Sequence, residues 1–178
     1  SSGSAAAVAA GMVPVAIGTQ TNGSVIRPAA FCGVVGYKPG KGVLSTDGIL
    51  PFSPTLDQPG VFARNVEDAG LLVAHLAHSR WTISPQISAL KHAPRLVATR
   101  TPVWHLASEE QRNRFSMDVA GLREAGAVVD EIELPASFND AHKVHRTIML
   151  YEGAAASRQV RNHYRAQISD FLNRALDE

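Results

Sequence analysis

The 178 residues are 45% hydrophobic, and 17 basic and 16 acidic side chains are spread along them for a formal charge of +1, which argues against disorder and against a basic stripe for nucleic acid or membrane. One cysteine, Cys32, rules out an internal disulfide, and no stretch reaches the roughly 18 apolar residues of a membrane span. One core of ordinary size, a reducing cytoplasm and a small-molecule partner are the expectations.

Residues 4–11 (SAAAVAAG) are small and helix-favouring with Gly11 as a stop, and 13–17 (VPVAI) reads as a short buried strand. Gly18 to Gly23 (GTQTNG) is a loop by composition, after which Ser24 opens a helical stretch through Ala30. Residues 34–62 are rich in Gly and Pro, with β-like runs at 34–37 and 60–62. Asn65 then caps a predicted helix through His78, whose Ala69, Leu72, Val73 and Leu76 share one face. Beyond a polar connector at 79–94, residues 95–99 (RLVAT) read as a strand, and Ser108 with Gln111 forms the pattern of a capping box for a helix ending near Ala125. Gly126 ends it. Residues 127–134 alternate as a half-buried strand, and 139–177 read as helical with a break near Gly153. Strands separated by helices imply an α/β fold with a partly parallel sheet.

Chemistry concentrates at Ser24. A serine where a glycine-containing loop meets a helix has free backbone N–H groups beside its hydroxyl, and those donors can hold an oxyanion. The N–H groups of Thr21, Asn22, Gly23 and Ser24 are the candidates. The bland alternative is a helix N-cap serine. Gly18–Ser24 also fits the glycine spacing of a phosphate loop, but serine stands where lysine is needed, so no nucleotide cofactor is expected. The pairs His75/His78 and His142/His145 have i, i+3 spacing without an evident third ligand, and no metal is expected. Cys32 reads as a packed small hydrophobe.

Residues 1–39, SSGSAAAVAAGMVPVAIGTQTNGSVIRPAAFCGVVGYKP, closely resemble the signature block of the amidase-signature family of serine amidohydrolases, and 48–64, GILPFSPTLDQPGVFAR, resembles the segment that follows it. The resemblance implies an α/β/α fold around a mixed β-sheet, of which this chain would be an internal portion. Residues 1–64 would be the signature core and 65–178 a helix-rich remainder, a candidate wall for the substrate pocket. Ser24 matches the family nucleophile, and Thr21, Asn22 and Gly23 match the oxyanion loop, although the family more often has Gly-Gly before the serine and Asp where Gln20 stands. The family activates its nucleophile with a serine in a cis peptide and a lysine. The pattern G-G-S-S-[GS]-G-S lays Ser1 on the second serine, so the cis-serine would precede Ser1 and the lysine would lie further upstream. Ser1 and Ser2 are then supports of the active site, and none of Lys38, Lys41, Lys91 or Lys143 matches the base.

Arg27, three residues after Ser24 and on about the same helix face, with Thr19 behind it, resembles the malonamidase-like branch, in which such a pair helps to bind a substrate carboxylate. A guanidinium fork suits that task; the alternative is an arginine tied to a carboxylate such as Asp57. The implied activity is amide hydrolysis through a serine acyl-enzyme, releasing ammonia or an amine, with no cofactor or metal. The glutaminase subunit of a tRNA-dependent amidotransferase shares the block and is the alternative, in which case nucleic acid and partner subunits enter. A non-catalytic truncated scaffold is a third reading, and a homo-oligomer is left open. Ser1 follows no initiator methionine or signal segment, and the last helical pattern stops at Glu178 without a cap, so both ends read as cut and the chain alone is expected to be inactive.

Overall fold

The computed structural model describes residues 1–77, 82, 84 and 90–177. Two compact units make up the chain, Ser1–Ile87 with His145–Glu178 and Ser88–Val144.

The first unit begins with α1 (Ser2–Ala9), β1 (Val15–Gln20) and α2 (Ile26–Cys32), followed by β2 (Val35–Tyr37), β3 (Gln58–Ala63) and α3 (Val66–Leu76). The strands form an antiparallel sheet in the order β1-β3-β2, with Thr19 opposite Pro59 and Gly36 opposite Phe62. All six residues of β3 are buried, because the central strand is covered on both faces. Phe62 points into a cluster with Ala5, Val8, Val25 and Ala29 of the α1/α2 layer, against which Cys32 also packs. Its neighbours Val61 and Ala63 face Val43, Leu44, Ala69 and Val73 on the other side. The alternation of a strand thus yields an α/β/α stack. Asn65 caps α3 as the sequence predicts, its side chain accepting from the Asp68 N–H at 2.7 Å. The helix ends at Leu76 rather than His78, since Ala77 is already extended at φ -60°, ψ 139°; His78, the second member of the pair His75/His78, and most of the 79–94 connector lie outside the described residues.

The second unit holds β4 (Arg95–Thr99), α4 (Glu109–Glu124) and β5 (Val128–Ile132), with β4 and β5 paired in parallel. Ser108 caps α4 by accepting from the Gln111 N–H at 3.1 Å, and Gly126 turns the chain at φ 95°. β4 falls where the sequence placed it. β5 is shorter than predicted, and mostly exposed rather than half-buried.

Three expectations need correction. Residues 18–20, read as the start of a loop, continue β1 to Gln20, because they pair with 58–60 of β3. The helix after the loop starts at Ile26, not Ser24, because Val25 is the N-cap and Ser24 lies in the preceding turn. The C-terminal region is α5 (Ala141–Ala156), α6 (Arg158–Tyr164) and α7 (Asp170–Asp177), and α5 runs through Gly153 unbroken. A Cβ on Gly153 would stand 2.9 Å from Phe52 Cζ and 3.1 Å from Leu176 Cδ2. That glycine therefore marks a close approach, and the break comes at Ser157 instead.

Candidate active site

Ser24 is positioned by its neighbour. Val25 is fully buried and seats against Gly60 of β3, where a Cβ would come within 2.9 Å of both Val25 Cγ2 and the Tyr37 carbonyl oxygen. Only glycine admits that contact, which fixes the start of α2 on the sheet and leaves Ser24, partly buried, at the end of the loop. The Gln20 side chain closes the turn: its Oε1 accepts from the Val25 N–H at 2.9 Å and the Ile26 N–H at 3.1 Å. Gln20 therefore caps α2 from the end of β1, a role that reading residues 18–23 as a loop did not suggest.

With those two donors satisfied by Gln20, the backbone N–H groups of Thr21, Asn22, Gly23 and Ser24 make no backbone or side-chain hydrogen bond among the described residues. The peptide groups that carry two of them are nonetheless held. The Gly23 carbonyl accepts from the Arg27 N–H at 2.8 Å, which orients the Ser24 N–H. The Thr21 carbonyl meets His145 Nε2 of α5 at 3.0 Å, which orients the Asn22 N–H. Since a carbonyl only accepts, Nε2 carries the proton there.

The side chain of Thr21 is latched as well. Its hydroxyl donates to Asp57 Oδ1, while Asp57 Oδ2 accepts from the N–H groups of Phe52 at 2.7 Å and Ser53 at 2.9 Å. This buried carboxylate is thus committed to three donors, and the alternative tie between Arg27 and Asp57 is not formed. Arg27 is exposed, close above Gly23, and makes no ion pair among the described residues. Thr19 and Thr21 line a cavity of about 290 Å³ with Ile49, Leu50, Phe52 and Asp57. Ser1 Oγ donates to the Thr19 carbonyl at 2.9 Å and accepts from its N–H at 3.0 Å, bracing β1 behind the loop; Ser2 is exposed at the start of α1.

Further contacts run from α5 to the segment before β3. Glu152 Oε2 accepts from Ser53 Oγ at 2.6 Å and the Thr55 N–H at 3.0 Å, and Oε1 accepts from Thr55 Oγ1 at 2.6 Å. The hydrogen bond from Ser53, then those from Thr55, hold the Glu152 carboxyl below the usual carboxylate range, with the charge of Lys41 adding to them. Lys41 itself donates to the carbonyls of Pro54 and Thr55, and Lys38 to Pro39 at 2.8 Å, so both ammonium groups are occupied structurally. Sequence reasoning singled out neither Glu152 nor the latching role of Asp57, and it weighed His145 only as one of a metal-binding pair. A larger crevice of about 480 Å³ lies in the second unit beside Arg100, Phe115, Glu131 and Asn139. Neither lining includes a serine, cysteine or lysine, and the smaller cavity is the better candidate because Thr21, at the start of the loop that leads to Ser24, lines it.

A model of the amidase family matches residues 1–177. A glutamyl-tRNA(Gln) amidotransferase subunit from Endomicrobium trichonymphae is 36% identical over 171 residues, covering 87% of this chain and 34% of the relative. Among solved structures, one described as an amidase superposes with a TM-score of 0.84 at 32% identity, over 98% of this chain and 38% of its own. The native peptide amidase from Stenotrophomonas maltophilia superposes with a TM-score of 0.72 at 32% identity, over 92% of this chain and 36% of its own. This chain spans about a third of the length of these relatives. Among the described residues no helix is long and apolar enough to cross a membrane.

Proposed function

The chain belongs to the amidase family, and from that premise we propose that Ser24 is the nucleophile of an amide hydrolase. The observation that carries the reading is the loop 21–24, which keeps four backbone N–H groups unsatisfied while Gln20, Asp57 and His145 hold it in place. Ser24 Oγ would lose its proton to a base as it attacks the amide carbonyl, and the carbonyl oxygen would take up negative charge against the N–H groups. Each well-placed donor is worth about 3–4 kcal/mol in the transition state. Collapse expels ammonia or an amine, which leaves with a proton, and water then cleaves the serine ester to release the acid. The base is a lysine acting through a serine, as in the family resemblance, rather than Lys38 or Lys41 with their backbone partners.

Thr19 and Arg27 are proposed to receive the acyl side of the substrate, with Arg27 favouring a carboxylate. Their placement on the two flanks of the loop supports this. Replacing Ser24 with Ala in the intact protein should abolish amide turnover, and Arg27→Ala should raise KM for a carboxylate-bearing amide more than for a neutral one. Full turnover by Ser24→Ala removes the proposal.

A second reading, the glutaminase subunit of a tRNA-dependent amidotransferase, is favoured by the name of the Endomicrobium relative. Glutamine-dependent amide transfer by a purified multisubunit complex would select it. A chain that hydrolyses free amides without partner subunits would select the hydrolase.

A further inference from the structure

The N–H of Asn22 belongs to the same peptide group as the carbonyl of Thr21, and that carbonyl is met by the imidazole of His145 at 3.0 Å. A donor on the carbonyl oxygen fixes the plane of the peptide and polarises it, so the N–H on the other side becomes a stronger and better-aimed donor. His145 comes from α5, 124 residues away in sequence, and its position depends on how that helix is docked. The docking is set by Glu152, seven residues or two helical turns further along the same face, whose carboxylate takes both hydroxyls and one N–H from Ser53 and Thr55. Gly153 lets the helix close on Phe52, whose N–H in turn holds Asp57, the acceptor for Thr21. Both handles on Thr21, its carbonyl and its hydroxyl, thus lead back to one helix.

We propose that His145 is a positioning residue of the acyl-transfer site, acting through the Thr21–Asn22 peptide to aim the Asn22 N–H at the developing oxyanion, with Glu152 holding α5 in the place this requires. The inference rests on Ser24 being the nucleophile. A purely structural histidine would affect folding; a positioning one affects the transition state more than substrate binding.

The test is acylation of the intact protein by p-nitrophenyl acetate, followed as a burst whose amplitude counts folded sites and normalises the rates. His145→Ala should slow acylation about tenfold, well short of the loss of a whole oxyanion donor, with the half-saturating ester concentration unchanged. His145→Gln, whose amide N–H can reach the same carbonyl, should recover to within about threefold of the wild type. A His145→Ala rate within twofold of wild type, or equal losses in the Ala and Gln variants, overturns the proposal. Ser24→Ala, run alongside, separates the two claims: a burst in that variant removes the nucleophile, whereas its absence together with wild-type rates in His145→Ala removes the positioning role alone.

Discussion

Three side chains far apart in sequence, Gln20, Asp57 and His145, shape one four-residue loop, and each does so by taking up a backbone or hydroxyl group that would otherwise compete for it. Gln20→Ala should expose the two α2 donors it satisfies and cost about 1 kcal/mol, as loss of a helix cap does, readable as a lower denaturation midpoint. Asp57→Ala leaves two N–H groups and a hydroxyl without their acceptor, and about 2–4 kcal/mol of stability should go with it. Equal midpoints for wild type and Asp57→Ala would refute the latch. Ser24 and residues 21–23 were legible in the sequence because they are contiguous and carry a motif. Asp57 and His145 were visible only as residue types with other candidate uses, since a hydrogen bond spanning 36 or 124 residues leaves no local spacing to read.

Among the elements, those with local signals were placed well: Asn65 and Ser108 cap their helices, and β4 has the predicted ends. The errors share a cause. Gln20, Val25 and Gly153 each answer to a partner in another element, which periodicity does not report. Gly153 supplies a test with a definite sign. In an exposed helix interior, Gly→Ala would stabilise by about 1 kcal/mol through propensity. Here the added Cβ collides with Phe52, so Gly153→Ala should destabilise by about 1–3 kcal/mol, as overpacking does. A rise in the melting temperature would show that α5 does not close on the 52–57 segment. Val25→Ala, which empties the seat on Gly60, should cost about 2 kcal/mol and displace the start of α2.

For the whole molecule, the depressed Glu152 carboxyl makes stability depend on pH in a stated direction. A carboxyl whose folded-state pKa lies below its unfolded value, about 4.3 for glutamate, contributes stability that is present above that value and lost as pH falls through the folded pKa. Glu152→Gln should therefore be less stable than wild type at pH 7, and the gap should narrow below about pH 4. Urea midpoints at both ends of that range decide it; a gap as wide at low pH would mean that the charge of Glu152 is not what matters. Asp177, held low by Arg165 and then Arg161, responds in the same direction; it ties α7 to Arg161 of α6 and to Arg165 just after it. The chain spans about a third of its relatives and the proposed base is not among its lysines, so the 178 residues alone should show negligible amide turnover. What decides the role of Ser24 is to trap the acyl-enzyme of the intact protein and locate the acyl group by mass spectrometry. It should sit on Ser24 and be absent from Ser24→Ala; an acyl group on any other residue, or one that persists after that substitution, would contradict Ser24 as the nucleophile.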